Sequence, residues 1–118
     1  MIFDKRLFNQ SKNTMLVNHL SIAESFVSRT RGLLGIESLP EHHGLWIHTC
    51  PSIHTFFMKF EIDAVFVDEK LIVRSIHRNI RPWRVVVGAL GSSSVFEMPG
   101  GSAKQGLIDM GDQLHVDH

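Results

Sequence analysis

The stretch Ile62-Asp63-Ala64-Val65-Phe66-Val67-Asp68-Glu69-Lys70-Leu71-Ile72-Val73-Arg74-Ser75-Ile76-His77-Arg78 decides the fold. Its first six residues are almost all β-branched, aromatic or small, the types that suit a pleated backbone. Ile62, Ala64 and Phe66 face one way and Val65 and Val67 the other. A strand apolar on both faces is a central, buried one. Asp68-Glu69-Lys70 reads as a polar turn, and Leu71 to Arg78 returns as the next strand, which predicts a hairpin.

Working outward, Thr14 to Leu20, Gly44 to His48 and Thr55 to Lys59 read as strands before this hairpin. The Cys50-Pro51 pair closes the second of them. Downstream, Arg81-Pro82-Trp83 breaks the ladder, Val85 to Val87 is a short strand, and Gly88 to Ser94 is a loop. Ser94 to Met98 is a further strand ended by Pro99-Gly100-Gly101. A brief helical turn is expected around Ala103 to Ile108, and Gln113 to Asp117 forms the terminal strand. Ile22 to Leu34 places Ile22, Phe26, Leu33 and Leu34 near one helical face, with Ser21 or Ser25 as cap and Gly35 as stop. The expected fold is α+β and predominantly β: a small β-sandwich or partly open barrel with one main helix packed on it.

The chain has 118 residues, which suits one domain spanning 1–118. Lys plus Arg and Asp plus Glu number 12 each, so the net charge is zero. Nucleic-acid binding, which calls for a basic excess, is therefore not expected. The single cysteine rules out an internal disulfide. Neither a signal-peptide pattern nor a run of roughly 20 apolar residues is visible. A cytoplasmic protein without a membrane partner is expected. Eight histidines, five of them between His19 and His54, are the compositional outlier.

Four ordered segments carry a resemblance. They are Arg29-x-Arg31-Gly32-Leu33-Leu34, then Cys50-Pro51-Ser52-Ile53-His54-Thr55-Phe56-Phe57-Met58-Lys59, then Ile62-Asp63-x-x-Phe66-x-Asp68, then Phe96-Glu97-Met98-Pro99-Gly100-Gly101 with Gly111-Asp112 beyond it. The series resembles the bacterial and archaeal domain-of-unknown-function family 192. Leu16-Val17-Asn18 and Arg81-Pro82-Trp83-Arg84 are similar to its short branch without an export signal. The resemblance implies a compact, mainly β fold with a helix and carries no activity. It also implies that Cys50 belongs to one branch only, so its thiol is no family-wide feature.

His48, Cys50, His54, Asp63 and Glu97 form the densest polar constellation. The plain reading of the two acids is structural: Asp63 bonds backbone N–H groups at a strand end, and Glu97 pairs with Arg29 or Arg31. Three functional readings stand beside it. Cys50 with His54 as base, oriented by Asp63 or Glu97, has the residue types of a nucleophilic site. His48, Cys50 and His54, with His42, His43 or Asp63 as a fourth partner, have ligand types for a metal, but no recognised ligand spacing. The preferred reading is a non-enzymatic module without cofactor that binds a small molecule or a protein partner. Its ligand-binding residues would be His54, Thr55, Lys59, Asp63 and Glu97, with Phe56, Phe57, Met58 and Trp83 as apolar wall. If it works through its surface, Trp46 and Trp83 are the candidate anchors.

Overall fold

The computed structural model describes residues 2–23, 33, 35–48 and 51–118. Nine strands lie among them: β1 (Lys5–Asn9), β2 (Thr14–Ala23), β3 (His43–His48), β4 (Ser52–His54), β5 (Ile62–Val67), β6 (Val73–Ile80), β7 (Val85–Val87), β8 (Ser94–Pro99) and β9 (Leu114–Asp117). Seven form one sheet in the order β6-β5-β8-β3-β2-β1-β9, and β4 and β7 pair as a separate ribbon. Every neighbouring pair is antiparallel except β2 and β3.

The sheet curls until its two ends meet. Ile72, just before β6, bridges Gln113, just before β9. Leu114 donates its N–H to the Leu71 carbonyl at 2.9 Å, and Val73 donates to Asp112 at 2.9 Å. The result is a partly open barrel in which both edge strands are partly protected.

Two cores follow from the curl. The inner one draws Leu7, Val17, Trp46, Val65, Phe96, Met98, Leu114 and Val116 from strands all round the sheet. The second lies on the outer face, where Leu45, Ile47, Ile62, Ala64, Phe66 and Val95 meet Ile53 of β4, with Val86 of β7 packed against it. β5 is buried at all six positions because it contributes to both cores. The alternation read from its sequence is the alternation seen.

The main helix expected over Ile22–Leu34 is not among the described elements, and the described residues contain no helix. Ile22 and Ala23 instead prolong β2, held in parallel register against Trp46 and Ile47. Leu33 lies in a turn, and the remaining positions of that segment fall outside the described residues. Thr55 to Lys59 is a turn region rather than a strand; the strand is the preceding Ser52–His54. Ala103 to Ile108 makes a hydrogen-bonded turn in which the Lys104 carbonyl accepts from Leu107 at 3.0 Å and Ile108 at 3.2 Å.

Candidate functional site

The β4–β7 ribbon presents the most unusual surface. Cross-strand pairing places Ser52 opposite Val87, Ile53 opposite Val86 and His54 opposite Val85. Ile53 and Val86 turn inward to the outer-face core. His54, Val85 and Val87 are left exposed, the two valines at 63% and 67%. Aromatic rings continue this face. His54 and Phe56 lie 5.1 Å apart between ring centroids, Phe56 and Trp83 5.8 Å, and Phe57 and Trp83 4.5 Å. Phe57 is 68% exposed and Trp83 55%.

Thr55 builds this surface from beneath. It is fully buried, and its carbonyl accepts the N–H of Met58 at 3.2 Å and of Trp83 at 2.9 Å. Its hydroxyl donates to the Arg81 carbonyl at 2.6 Å and accepts the Arg84 N–H at 2.9 Å. One residue thus holds the Phe57 turn and the Trp83 turn together. Both aromatic residues sit in the left-handed backbone region, Phe57 at φ 66° and Trp83 at φ 67°. For a bulky side chain that conformation costs roughly 1–2 kcal/mol, and such strain gathers where a surface is held for recognition.

Two arginines flank Trp83 in the chain. Arg81 and Arg84 are exposed, and among the described residues neither has an acidic partner. Arg84 only reaches the Pro82 and Trp83 carbonyls, each at 3.4 Å. Lys59 is committed elsewhere, to Glu37 at 2.5 Å.

The remaining residues of the sequence-based site do not converge. Asp63 is fully buried, and its carboxylate accepts the Asn79 N–H at 2.7 Å and the Ala103 N–H at 2.8 Å. It pairs with Met98 while its neighbour Ala64 pairs with Glu97, so the two acids point to opposite faces of the sheet. Glu97 belongs to an outer-face row that runs Ser21, Leu45, Glu97, Ala64, His77 across five strands. It is 3% exposed, and among the described residues no hydrogen bond or ion pair reaches its carboxylate. Burial alone pushes its carboxyl up to about 7. His77 ends the row, edge-on to Phe66 at 5.6 Å, and burial lowers its pKa.

His48 sits at the end of β3 with its ring 3.9 Å from that of Trp46. Cys50, Arg29 and Arg31 lie outside the described residues. Among the described residues no three His, Cys, Asp or Glu side chains are placed to share a metal ion. No described helix is long and apolar enough to cross a membrane. Trp46 is no surface anchor: it is buried, and its indole N–H donates to Ser94 Oγ at 2.9 Å.

Sequence reasoning named the aromatics as a pocket wall and missed that they are displayed outward on a strained turn. A signal was present. Phe56 and Phe57 are adjacent, so any extended or turned backbone sends one of them away from the core. Trp83 follows a proline that ends a strand, and turns run over the surface.

Comparison with known proteins bears on the fold and the lineage. The model of domain-of-unknown-function family 192, described as Uncharacterized ACR, matches residues 7–116. A UPF0127 protein of Thermococcus sibiricus is 30% identical over 115 residues, covering 92% of this chain and 72% of that one. One from Pyrococcus abyssi is 29% identical over 113 residues, covering 92% and 94%. Among solved structures, a Sinorhizobium meliloti protein named as a candidate transcription regulator superposes with a TM-score of 0.81 at 21% identity, covering 98% of this chain and 96% of that one. A Novosphingobium aromaticivorans protein of unknown function gives 0.80 at 20%, covering 94% and 82%. At such identities the two structures speak for the curled β fold alone. With the ordered motifs, the fold and a family match over nearly its whole length in agreement, the chain belongs to domain-of-unknown-function family 192.

Proposed function

We propose that this chain is a non-enzymatic binding module that takes a protein partner on the exposed aromatic face of its β4–β7 ribbon. The observation that carries the reading is the Phe57–Trp83 pair. Two bulky rings are held in contact, mostly exposed, on backbone that favours glycine. A monomeric surface with no partner gains nothing from that arrangement, since both the strain and the exposure cost stability. Trp and Arg are the side chains that dominate binding hot spots, and Trp83 stands here between Arg81 and Arg84. Two arginines without acidic partners favour an acidic segment that also offers apolar side chains to the rings.

Selection of random displayed dodecapeptides on the wild-type protein, with a Phe57→Ala/Trp83→Ala variant as control, tests the reading. Enrichment of acidic peptides carrying apolar residues on the wild type alone supports it. The same peptides returned by both proteins, or a basic consensus, would contradict it.

A further inference from the structure

Away from the ribbon, an open depression of about 450 Å³ lies where the end of β8 meets the starts of β2 and β3. That volume suits a small organic ligand. Met15, Leu16 and Leu107 supply apolar wall, and Gly101, Ser102 and Lys104 supply polar lining.

The polar side is built rather than incidental. Asp63 accepts the Ala103 N–H at 2.8 Å, and Arg78 donates to the Ala103 carbonyl at 2.6 Å and to the Ile108 carbonyl at 3.3 Å. The loop from Gly100 to Ile108 is therefore clamped from beneath by two charged groups. A clamped loop loses little freedom when a ligand arrives. Gly101, at φ 90°, lets it turn sharply without a side chain narrowing the opening.

Lys104 is the group left over. Among the described residues its ammonium has no acidic partner, and the Ser102 hydroxyl and the Gly101 N–H make no hydrogen bond. Glu41, the acid in the lining, keeps its carboxylate beside the His42 ring at 3.6 Å. An apolar wall, a free ammonium and neutral donors on a fixed loop define a chemistry. We infer that this depression binds a small carboxylate with an apolar body, the acid group at Lys104 and Ser102 and the body against Met15, Leu16 and Leu107.

The inference is independent of the proposed ribbon interface, and its test reads different residues. The ¹⁵N-labelled protein is titrated with phenylacetate, 4-methylpentanoate and octanoate, and with their uncharged primary amides. Saturable movement of the Gly101 and Ser102 amide signals is expected with at least one acid. That acid should bind about tenfold or more tightly than its amide, the increment of one charge-assisted hydrogen bond. Lys104→Met should reduce the acid to the level of the amide, and Lys104→Arg should keep most of the preference. No saturable movement with any of the three acids would overturn the inference. So would equal affinity for acid and amide, or an unchanged preference in Lys104→Met.

Discussion

The carbonyl of Thr55 accepts the backbone N–H of Trp83 at 2.9 Å, tying the turn after β4 to the turn after β6. Its hydroxyl adds one bond to the Arg81 carbonyl and one from the Arg84 N–H. Thr55→Val keeps the shape and removes the hydroxyl, leaving a carbonyl and an N–H of the Arg81–Arg84 turn without that partner. A loss of about 1–3 kcal/mol is expected in urea unfolding, together with weakened peptide binding. Thr55→Ser, which restores the hydroxyl, should recover most of both. Equal behaviour of the Val and Ser variants would remove Thr55 from its positioning role.

At Phe57 and Trp83 the backbone and the side chain should separate cleanly. Both sit in the left-handed region, where glycine alone is at ease. Phe57→Gly should therefore be more stable than Phe57→Ala by about 1 kcal/mol, the reverse of the usual order. Trp83→Gly and Trp83→Ala should follow the same rule. All four substitutions should weaken peptide binding. Thermal unfolding of the four variants decides the point, and alanine equal to or better than glycine would refute the strain.

Asp63 is expected to matter for folding and not for partner binding. Its buried carboxylate serves two backbone donors on separate segments, Asn79 and Ala103. Asp63→Ala strands both N–H groups, at a cost of roughly 3 kcal/mol or more. Asp63→Asn should fare little better, because the amide nitrogen would face a donor where an acceptor is needed. Urea unfolding would measure both. A neutral Asp63→Asn would mean that this latch contributes little.

Glu97 should make stability depend on pH. Burial raises its carboxyl from 4.5 to about 7, so between those values the folded protein holds a proton that the unfolded chain has released. Stability attributable to Glu97 is thus fully present below about 4.5, falls as pH rises, and levels off above about 7. The whole loss is on the order of 3 kcal/mol. His77, whose pKa burial lowers from 6.5, acts in the opposite sense and costs stability as pH falls below that value. The informative quantity is therefore the difference between wild type and Glu97→Gln. The variant should gain on the wild type from pH 5 to pH 8, and a constant difference would show that Glu97 does not titrate in this range.

Much of the fold was legible because alternation is a local property. Ile62–Val67 shows it, Val85–Val87 and Ser94 onward are marked by β-branched and aromatic residues, and the double-sided burial of β5 follows from apolar residues on both of its faces. β1 was not read, since Lys5, Arg6 and Asn9 leave only Leu7 and Phe8 as apolar residues. It is a strand because β2 and β9 pair with it on both sides, a tertiary cause. The site was less legible for a related reason. Sequence placed Asp63 and Glu97 in apolar strands without showing the register, Asp63 opposite Met98 and Ala64 opposite Glu97, that sends them to opposite faces. Nor does composition reveal a positive φ at Phe57 or Trp83, two turns that meet at the Thr55 carbonyl.

The two tryptophans distinguish binding at the ribbon from a change in the core. Trp46 is buried with its indole N–H bonded to Ser94, and Trp83 stands exposed on the ribbon. Their two indole N–H signals in a ¹⁵N spectrum report separately on the core and on the proposed interface. Titration with an acidic peptide from the display selection should move the Trp83 signal saturably and leave Trp46 in place. Trp83→Ala should weaken that peptide by about thirtyfold or more. A peptide that binds while the Trp83 signal stays fixed, or that binds Trp83→Ala equally well, would contradict the assignment of this face as the binding surface.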